Sequence, residues 1–151
     1  MAKVSGGTLE WNGDRFIALA TQENVKAMNK AAITVQAKAK QLAGGPGSGR
    51  IYKRKGVTHR ASRPGQPPAR DTGILVNSVS FNVSEKNNEI RGTVGPDIDK
   101  IRRDSPRTDP DYGFYLEFGT RNIAPRPWLR PALRKSRNKI LRIFKFANKS
   151  L

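Results

Sequence analysis

The sequence predicts an α+β domain in which a small antiparallel β-sheet packs with a long N-terminal helix and a C-terminal helix. Two observations lead to this prediction. Apolar residues repeat at intervals of three and four in two long segments, which is the period of an amphipathic helix. Between these segments, apolar and polar residues alternate in two short runs, which is typical of half-buried strands. Because 151 residues is the length of one ordinary domain, we expect residues 1–151 to form a single domain.

The first helix is expected from about Thr21 to Leu42. Its apolar stripe consists of Val25, Met28, Ala32, Val35, Ala39 and Leu42. Thr21 is placed to cap the start of the helix, and the Gly-Gly-Pro sequence at 44–46 is placed to end it. Before the helix, the Asn12-Gly13 pair lies between short alternating runs at residues 9–16. Such a pair favours a type I′ turn, so a small hairpin is predicted there.

Residues 44–70 are rich in glycine and proline and have almost no apolar periodicity. A segment of this composition cannot bury enough apolar surface to offset the entropy of ordering it. We therefore expect a long flexible loop at about 44–70, ordered at most when a partner is bound. A loop of this length in a small domain usually has a function.

The second half of the chain predicts the sheet and the C-terminal helix. Alternation from Val79 to Val83 and from Ile90 to Val94 predicts two antiparallel strands, joined by a turn at residues 86–88. Residues 97–111 are polar and are expected to be a loop. The spacing of Tyr112, Tyr115 and Leu116 predicts a short helix that Gly119 ends. A final helix is expected to begin between residues 126 and 131 and to run to about Ala147, with Leu129, Leu133, Ile140, Ile143 and Phe144 on its apolar face.

The charge is strongly positive and unevenly distributed. The 29 Lys and Arg residues against 12 Asp and Glu residues give a formal net charge of +17. No acidic residue occurs from Leu42 to Arg70, and none follows Glu117. Self-repulsion of this size favours a partner that neutralises it, whether nucleic acid, an acidic subunit or an anionic membrane. The basic residues of the loop that could face DNA or such a partner are Arg50, Lys53, Arg54, Lys55, Arg60, Arg63 and Arg70.

Few residues are available for catalysis or for binding a metal. We therefore expect that the protein is not an enzyme and that it binds no cofactor. There is no cysteine, and His59 is the single histidine, which argues against a zinc site. We expect His59 to be exposed in the loop. It would be poorly positioned there as a catalytic base, because such a base must lie beside its nucleophile. The carboxylates at 97–111 are expected to be solvated, since their spacing does not match a calcium loop. The glycines at 44–49 lack the Lys-Ser/Thr pair of a phosphate-binding loop.

A membrane location is not expected. No apolar run approaches the ~20 residues of a membrane span, and the N-terminus lacks a secretory signal. The C-terminal amphipathic helix could lie on an anionic membrane surface. Its apolar face is explained more simply as core or subunit interface, and cytosol is the default location.

Two segments carry motifs that occur together in one family. Residues 64–79 read PGQPPARDTGILVNSV, and the family pattern is PGxPPxxxTGxLxxSI. Residues 112–120 read YGFYLEFGT and residues 124–133 read APRPWLRPAL, where the family has YxxYxEFGT and then RPFLRPAL. Pro125 is an additional residue between Ala124 and Arg126. Over roughly residues 50–135, the chain resembles the neck or tail-completion proteins of long-tailed phages, a tail component at the head–tail junction.

The resemblance implies a structural protein that forms a ring, expected to be hexameric, between a head-completion ring and a tail-terminator ring. The ring would join head to tail around the DNA channel, and the basic loop would line the channel, gate it or clasp a neighbouring subunit. The protein would be found in the virion, and in the host cytoplasm during assembly. The motif or structural positions are Asp71, Thr72, Gly73, Leu75, Ser78, Tyr115, Glu117, Phe118, Gly119, Thr120, Arg126, Pro127, Trp128, Leu129, Pro131 and Leu133.

The motif residues are interpreted as scaffold. Gly73 and Gly119 suit turns that need a positive φ. Tyr115, Phe118, Trp128, Leu129 and Leu133 are expected to be apolar anchors around the last helix. Glu117 is expected to form an ion pair with one of Arg121, Arg126 and Arg130, the nearest basic residues in the sequence.

Two other functions remain open at this point. The charge also suits a nucleic-acid-binding protein of ribosomal or nucleoid type, although no sequence-reading motif is present. A phage nuclease would need a carboxylate or histidine cluster, for which residues 97–111 are the only material.

Overall fold

The computed structural model describes residues 2–4, 7–9 and 13–149, and it has the α+β architecture that the sequence predicts. The elements in chain order are β1 (Ala2–Val4), β2 (Gly7–Leu9), α1 (Gly13–Ala43), β3 (Ile51–Arg54), β4 (Val57–Arg60), α2 (Ile74–Ser78), β5 (Val79–Lys86), β6 (Glu89–Pro96), α3 (Ile98–Asp104), α4 (Tyr112–Phe118) and α5 (Leu129–Lys149). The pairs β1–β2, β3–β4 and β5–β6 are separate antiparallel hairpins.

The long helix α1 is confirmed, but it begins at Gly13 rather than at Thr21. Thr21 therefore lies inside the helix and does not cap it. The buried side of α1 consists mainly of alanines, namely Ala27, Ala31, Ala32, Ala39 and Ala43, together with Val35. Apart from the adjacent pair Ala31 and Ala32, these residues recur at intervals of three and four, so the predicted stripe is present and its fully buried side chains are small.

Helices α1 and α5 pack against each other, and Ala39 and Ala43 of α1 share a buried apolar cluster with Ala132 of α5. The buried residues of α5 are Ala132 and Ser136, which likewise let the two backbones approach closely. The predicted apolar face of α5 was wrong at Leu133, whose side chain is 56% exposed. The α1 contact lies on the side of α5 that carries Ala132 and Ser136, and Leu133 is one helical step away from it.

The β5–β6 hairpin is confirmed with its turn. Asn87 and Asn88 have φ angles of 53° and 60°, as a type I′ turn requires, and asparagine tolerates this conformation. Helix α1 lies across both strands. A Cβ added at Gly92 would be 2.8 Å from the Sδ of Met28, so this glycine permits the close approach of α1. The Gln36 side chain donates a hydrogen bond of 2.9 Å to the carbonyl oxygen of Val79.

The hairpin predicted around Asn12-Gly13 was wrong in its second half. Residues 13–16 form the first turn of α1, and Asp14 there is favourable beside the positive end of the helix dipole. Residues 10–12 lie outside the described residues. The observed hairpin comes earlier, where Ala2 pairs with Leu9 and Val4 with Gly7.

The segment 44–70 was expected to be a loop, and instead it contains the hairpin β3–β4. Lys55 and Gly56 form its turn with φ angles of 48° and 81°. The base is closed by three hydrogen bonds, from the amides of Ser48 and Gly49 to the carbonyl of Ala61 and from the amide of Ala61 to the carbonyl of Arg50. Hydrogen bonds between the two strands therefore give this segment regular structure, although its sequence has almost no apolar periodicity. The flexibility of this segment stays a prediction.

The polar segment 97–111 was also expected to be a loop, and it contains helix α3. Asp97 caps this helix, since its Oδ1 accepts a hydrogen bond of 2.9 Å from the amide of Lys100. Ile101 is buried and anchors α3 to the rest of the molecule. The short helix α4 and the C-terminal α5 agree with the predicted positions, and Gly119 ends α4 with a φ of 79°.

We predict that Ala39→Leu destabilises the fold by about 1–3 kcal/mol, because a larger side chain has no space between α1 and its neighbours. Ala37→Leu makes the same chemical change on the exposed side of α1 and should alter stability by less than about 0.5 kcal/mol. Urea unfolding of both variants measures the difference. Equal stabilities would contradict the close packing at Ala39.

Candidate functional site

The two motif segments meet around Trp128. The Trp128 side chain is fully buried and belongs to one apolar cluster with Leu75 and Val79 from the first segment. Its Nε1 donates a hydrogen bond of 3.3 Å to the carbonyl oxygen of Gly113. Residues from the segments 64–79 and 112–133 therefore contribute to one apolar core.

Gly113 allows α4 to lie close to this core. A Cβ at this position would be 3.0 Å from Cγ of Pro96 and 3.1 Å from Cδ1 of Leu75. Such distances are tighter than ordinary van der Waals contacts, so a side chain would push α4 away from β6 and α2. The glycine thereby sets the position of the helix that carries Glu117.

Glu117 is a buried carboxylate that caps the N-terminus of α5. Its Oε2 accepts hydrogen bonds from the amides of Trp128 at 2.7 Å and Leu129 at 2.8 Å. Its Oε1 accepts from the amide of Arg130 at 3.1 Å and from the Nε of the same residue at 2.9 Å. The amide groups at a helix start have no partner within the helix, and a negative charge there is favourable. A single side chain, 2% exposed, thus satisfies three of them.

The surroundings of Glu117 keep its carboxyl group ionised. Burial by itself would raise the pKa of Glu117. The hydrogen bonds from the amides of Trp128 and Leu129 and from Arg130 outweigh burial, so the pKa lies below its ordinary value. The group is therefore a structural anion and is poorly suited to donate a proton near neutral pH.

The expected ion pair of Glu117 is formed with Arg130. Arg130 also reaches the carbonyl oxygen of Glu117 with its Nη2 at 3.2 Å and lies over the ring of Phe118, 4.8 Å from its centroid. Arg126 has a different role, because its Nε donates to the carbonyl oxygen of Ser62 at 3.3 Å and its amide donates to that of Leu116 at 2.6 Å. Arg126 therefore joins the end of α4 to the base of the basic hairpin.

Several other motif residues form turns. Gly73 precedes α2 with a φ of 81°, and the Oγ1 of Thr72 accepts from the amide of Ile74 at 3.4 Å. The buried hydroxyl of Ser78 donates to the carbonyl oxygen of Leu75 at 2.9 Å. The Oγ1 of Thr120 accepts from the amides of residues 122 and 123. These contacts hold backbone in place, in agreement with a scaffold.

Two of the expected apolar anchors were wrong. Phe118 is 52% exposed and Leu133 is 56% exposed, so neither is buried around α5. Trp128 is fully buried and Leu129 packs partly buried against the core. Phe118 and Leu133 thus belong to the surface of the chain.

The basic hairpin, defined as residues 50–63, carries most of the cations that the sequence singled out. The side chains of Arg50, Lys53, Lys55, Arg60, Arg63 and the nearby Arg70 are exposed, and that of Arg54 lies outside the described residues. Within the described part of the chain, none of these six forms an ion pair. Ile51 and Val57 are also exposed, at 55% and 65%. The hairpin therefore presents unpaired positive charge and apolar side chains together.

His59 was expected to be exposed, and its side chain is only 12% exposed. Its Nδ1 is 3.6 Å from Oδ1 of Asp71, and its ring packs edge-on against Tyr52 with the centroids 5.2 Å apart. His59 and Asp71 therefore connect the hairpin to the segment before α2.

An open cavity of about 870 Å³ lies between the basic hairpin and the side of α4 that carries Tyr112 and Leu116. Its charged lining residues are Lys55, Arg70, Asp71, Arg107 and Arg126. Burial, followed by the charge of Asp71, raises the pKa of the Tyr112 phenol, which stays neutral. The cavity is thus mainly cationic.

A second, more apolar depression of about 450 Å³, here called the α4 groove, lies on another side of α4. Its lining includes Ile98, Gly113, Phe114, Phe118 and Leu129. Phe114 is 59% exposed, and its ring centroid is 4.7 Å from that of Phe118. The groove is therefore an open surface lined partly by aromatic side chains.

Neither a metal-binding cluster nor a spanning helix is found in the described part of the chain. Among residues 2–4, 7–9 and 13–149, no three His, Cys, Asp or Glu side chains are grouped to hold a metal ion. No helix within these ranges is long and apolar enough to cross a membrane.

Glu117→Gln is expected to destabilise the protein by about 1.5–3 kcal/mol, because hydrogen bonds to a charged acceptor are lost at a buried helix start. Glu89→Gln is the matched control, since Glu89 and its partner Arg91 are both exposed, and it should cost less than about 1 kcal/mol. Thermal or urea unfolding measures both. A loss at Glu117 no larger than that at Glu89 would show that the cap is dispensable.

The contribution of Glu117 should also depend on pH. Its folded pKa is lowered, so its stabilisation is complete above the unfolded pKa of about 4.3 and is lost as pH falls through the folded pKa. The gap in unfolding free energy between wild type and Glu117→Gln is expected to be constant from pH 7 to 5 and to shrink below about pH 4. A gap that stays unchanged down to pH 3 would refute this assignment.

Comparisons of the chain with protein-family models, with curated proteins and with solved structures found no match. The resemblance to phage neck proteins therefore rests on the two motif segments, and the function that it implies is a proposal.

Proposed function

We propose that this chain is a structural protein of a tailed-phage virion, which forms a ring at the head–tail junction and joins head to tail around the DNA channel. The observation that carries the proposal is the pair of motif segments, 64–79 and 112–133, which resemble this family in residues and in order. Residues from both segments, among them Leu75, Val79 and Leu129, pack into one core with Trp128, and Glu117 accepts a hydrogen bond from the Trp128 amide. Residues of the motif thus act as scaffold, which suits an assembly protein better than an enzyme.

The surface of the subunit supports an oligomer. Large apolar side chains are exposed on α4, on the basic hairpin and on α5, among them Phe114, Phe118, Val57, Leu133 and Leu141. Soluble monomers rarely leave extended apolar patches open, and such patches mark interaction sites. A ring would cover them between neighbouring subunits or against the rings that flank it in the virion.

The net charge of +17 is also consistent with this location. DNA passing through the ring would interact with exposed cations of the hairpin without any reading of sequence, because contacts with phosphate carry no base information. The same charge favours the second candidate function, a nucleic-acid-binding protein of ribosomal or nucleoid type. The two candidates differ in whether the functional unit is a ring or a monomer bound to nucleic acid.

The test is the native mass of the purified protein at moderate and at high salt, with negative-stain images of the same samples. We expect a closed ring that persists at high salt and whose mass gives the copy number. A monomer that carries nucleic acid and releases it at high salt would favour the second candidate. The contrast is sharp because binding to nucleic acid weakens steeply with salt, whereas apolar subunit contacts do not.

A further inference from the structure

The floor of the α4 groove is apolar, and its exposure to water is unfavourable in free energy. Phe114 and Phe118 lie one helical turn apart on α4, and Ile98 at the start of α3 is 40% exposed beside them. Burying apolar surface of this kind is favourable in proportion to the area removed from water. The groove is therefore energetically suited to take up another apolar surface.

The edge of the α4 groove is negatively charged. Asp111 lines it, and Asp109 lies two residues earlier, with its Oδ1 accepting from the amide of Asp111 at 2.9 Å. Within the described residues, neither carboxylate forms an ion pair, whereas Asp99 and Asp104 are paired with basic residues of α3. The charges of Asp109 and Asp111, with some burial, also raise the pKa of Tyr115 at the same edge. This patch is a local excess of negative charge on a strongly basic protein.

The basic hairpin has the complementary properties. In the β3–β4 register, Ile51 is opposite Arg60 and Lys53 is opposite Thr58, so one face combines an exposed apolar side chain with two cations. Val57, beside the turn, lies on the other face, which borders the subunit's own cavity. A two-stranded hairpin also has two open edges and gains stability when another surface covers it. Its charge is opposite in sign to that of the groove.

A subunit's hairpin is on the wrong side of α4 to fill its own groove. The hairpin borders the cavity lined by Tyr112 and Leu116, whereas Phe114 and Phe118 line the groove. Residues two positions apart on an α-helix point in nearly opposite directions, since each step turns about 100°. The groove is thus available to the hairpin of a second copy.

From this complementarity we infer that the basic hairpin of one subunit docks in the α4 groove of the next. The inference deepens the proposed ring and rests on it. Because hairpin and groove are different surfaces, each subunit both donates and accepts, and the contact is head-to-tail. Such a contact closes into a ring when the rotation between subunits fits, and otherwise it propagates as a filament.

The absence of cysteine makes a clean cross-linking experiment available. Ile51→Cys and Phe114→Cys, each on an exposed side chain, are purified separately, mixed at about 0.1 mM and oxidised. Docking would hold the two thiols at an effective concentration on the order of 1 mM, so the mixed disulfide should form roughly tenfold faster than by random collision. The control pair is Ile51→Cys with Ala37→Cys, since Ala37 is exposed on α1.

A mixed disulfide that forms no faster than in the control pair overturns the inference. If native mass still shows a ring in that case, the proposed function stands and another contact holds the ring. Fast cross-linking in open chains without rings would support the docking and contradict the ring. The two proposals therefore fail separately.

A charge exchange provides a second measurement that does not depend on thiols. Lys53→Glu with Arg60→Glu should abolish the oligomer, and so should Asp109→Lys with Asp111→Lys, because each places like charges in contact. Mixing the two variants should restore it, since opposite charges then face each other at every mixed contact. Unimpaired assembly of either variant alone would contradict the docking.

Discussion

The capping of α5 by Glu117 is the interaction on which the rest of the structure depends. The carboxylate lies on α4, and its three amide partners begin α5, so one side chain fixes the angle between two helices. Helix α5 in turn packs along α1, which carries the β5–β6 hairpin on its surface. If the carboxylate were removed, buried amide groups would lose their partners, and such groups are costly when neither protein nor water satisfies them. Arg130 closes the site from the solvent side and keeps the charge compensated without being buried itself.

The helices and strands that the sequence predicted are those whose apolar pattern lies within the element itself. The 3.6-residue period identified α1 and α5, and alternation with an Asn-Asn turn identified β5–β6, because each signal lies within the element that it predicts. Helix α3 was missed because its polar composition hid the cap at Asp97 and the single buried Ile101. The β3–β4 hairpin was missed because its turn uses a positive φ at Lys55, a residue type that rarely adopts it. The role of Glu117 as a cap was missed because its amide partners are 11 to 13 residues away.

Because the residues at the helix contacts are small, several large apolar side chains are left exposed at the surface. Alanines between α1 and α5, together with Gly92 and Gly113, let backbones approach so closely that little space is left for large side chains. Trp128 is the largest fully buried side chain among the described residues, and bulky residues such as Phe114, Phe118 and Leu133 remain at the surface. A core of this kind stabilises the subunit modestly and leaves much of the apolar area for contacts with other molecules. The wrong expectation that Phe118 and Leu133 are buried has the same origin, since an apolar pattern does not distinguish core from interface.

The distribution of charge then limits how copies can meet. Because the chain carries +17 overall, two copies that approach at random repel each other, and the acidic edge at Asp109 and Asp111 reduces this repulsion locally. Electrostatic attraction of this kind directs the encounter and sets its orientation more than it adds affinity. In the proposed docking, persistence at high salt would come from the apolar part of the contact, in which Ile51 covers Phe114 and Phe118. Charge would then orient the copies and apolar burial would hold them, and the proposed head-to-tail ring needs both, because neither the charge nor the aromatic floor would select that arrangement alone.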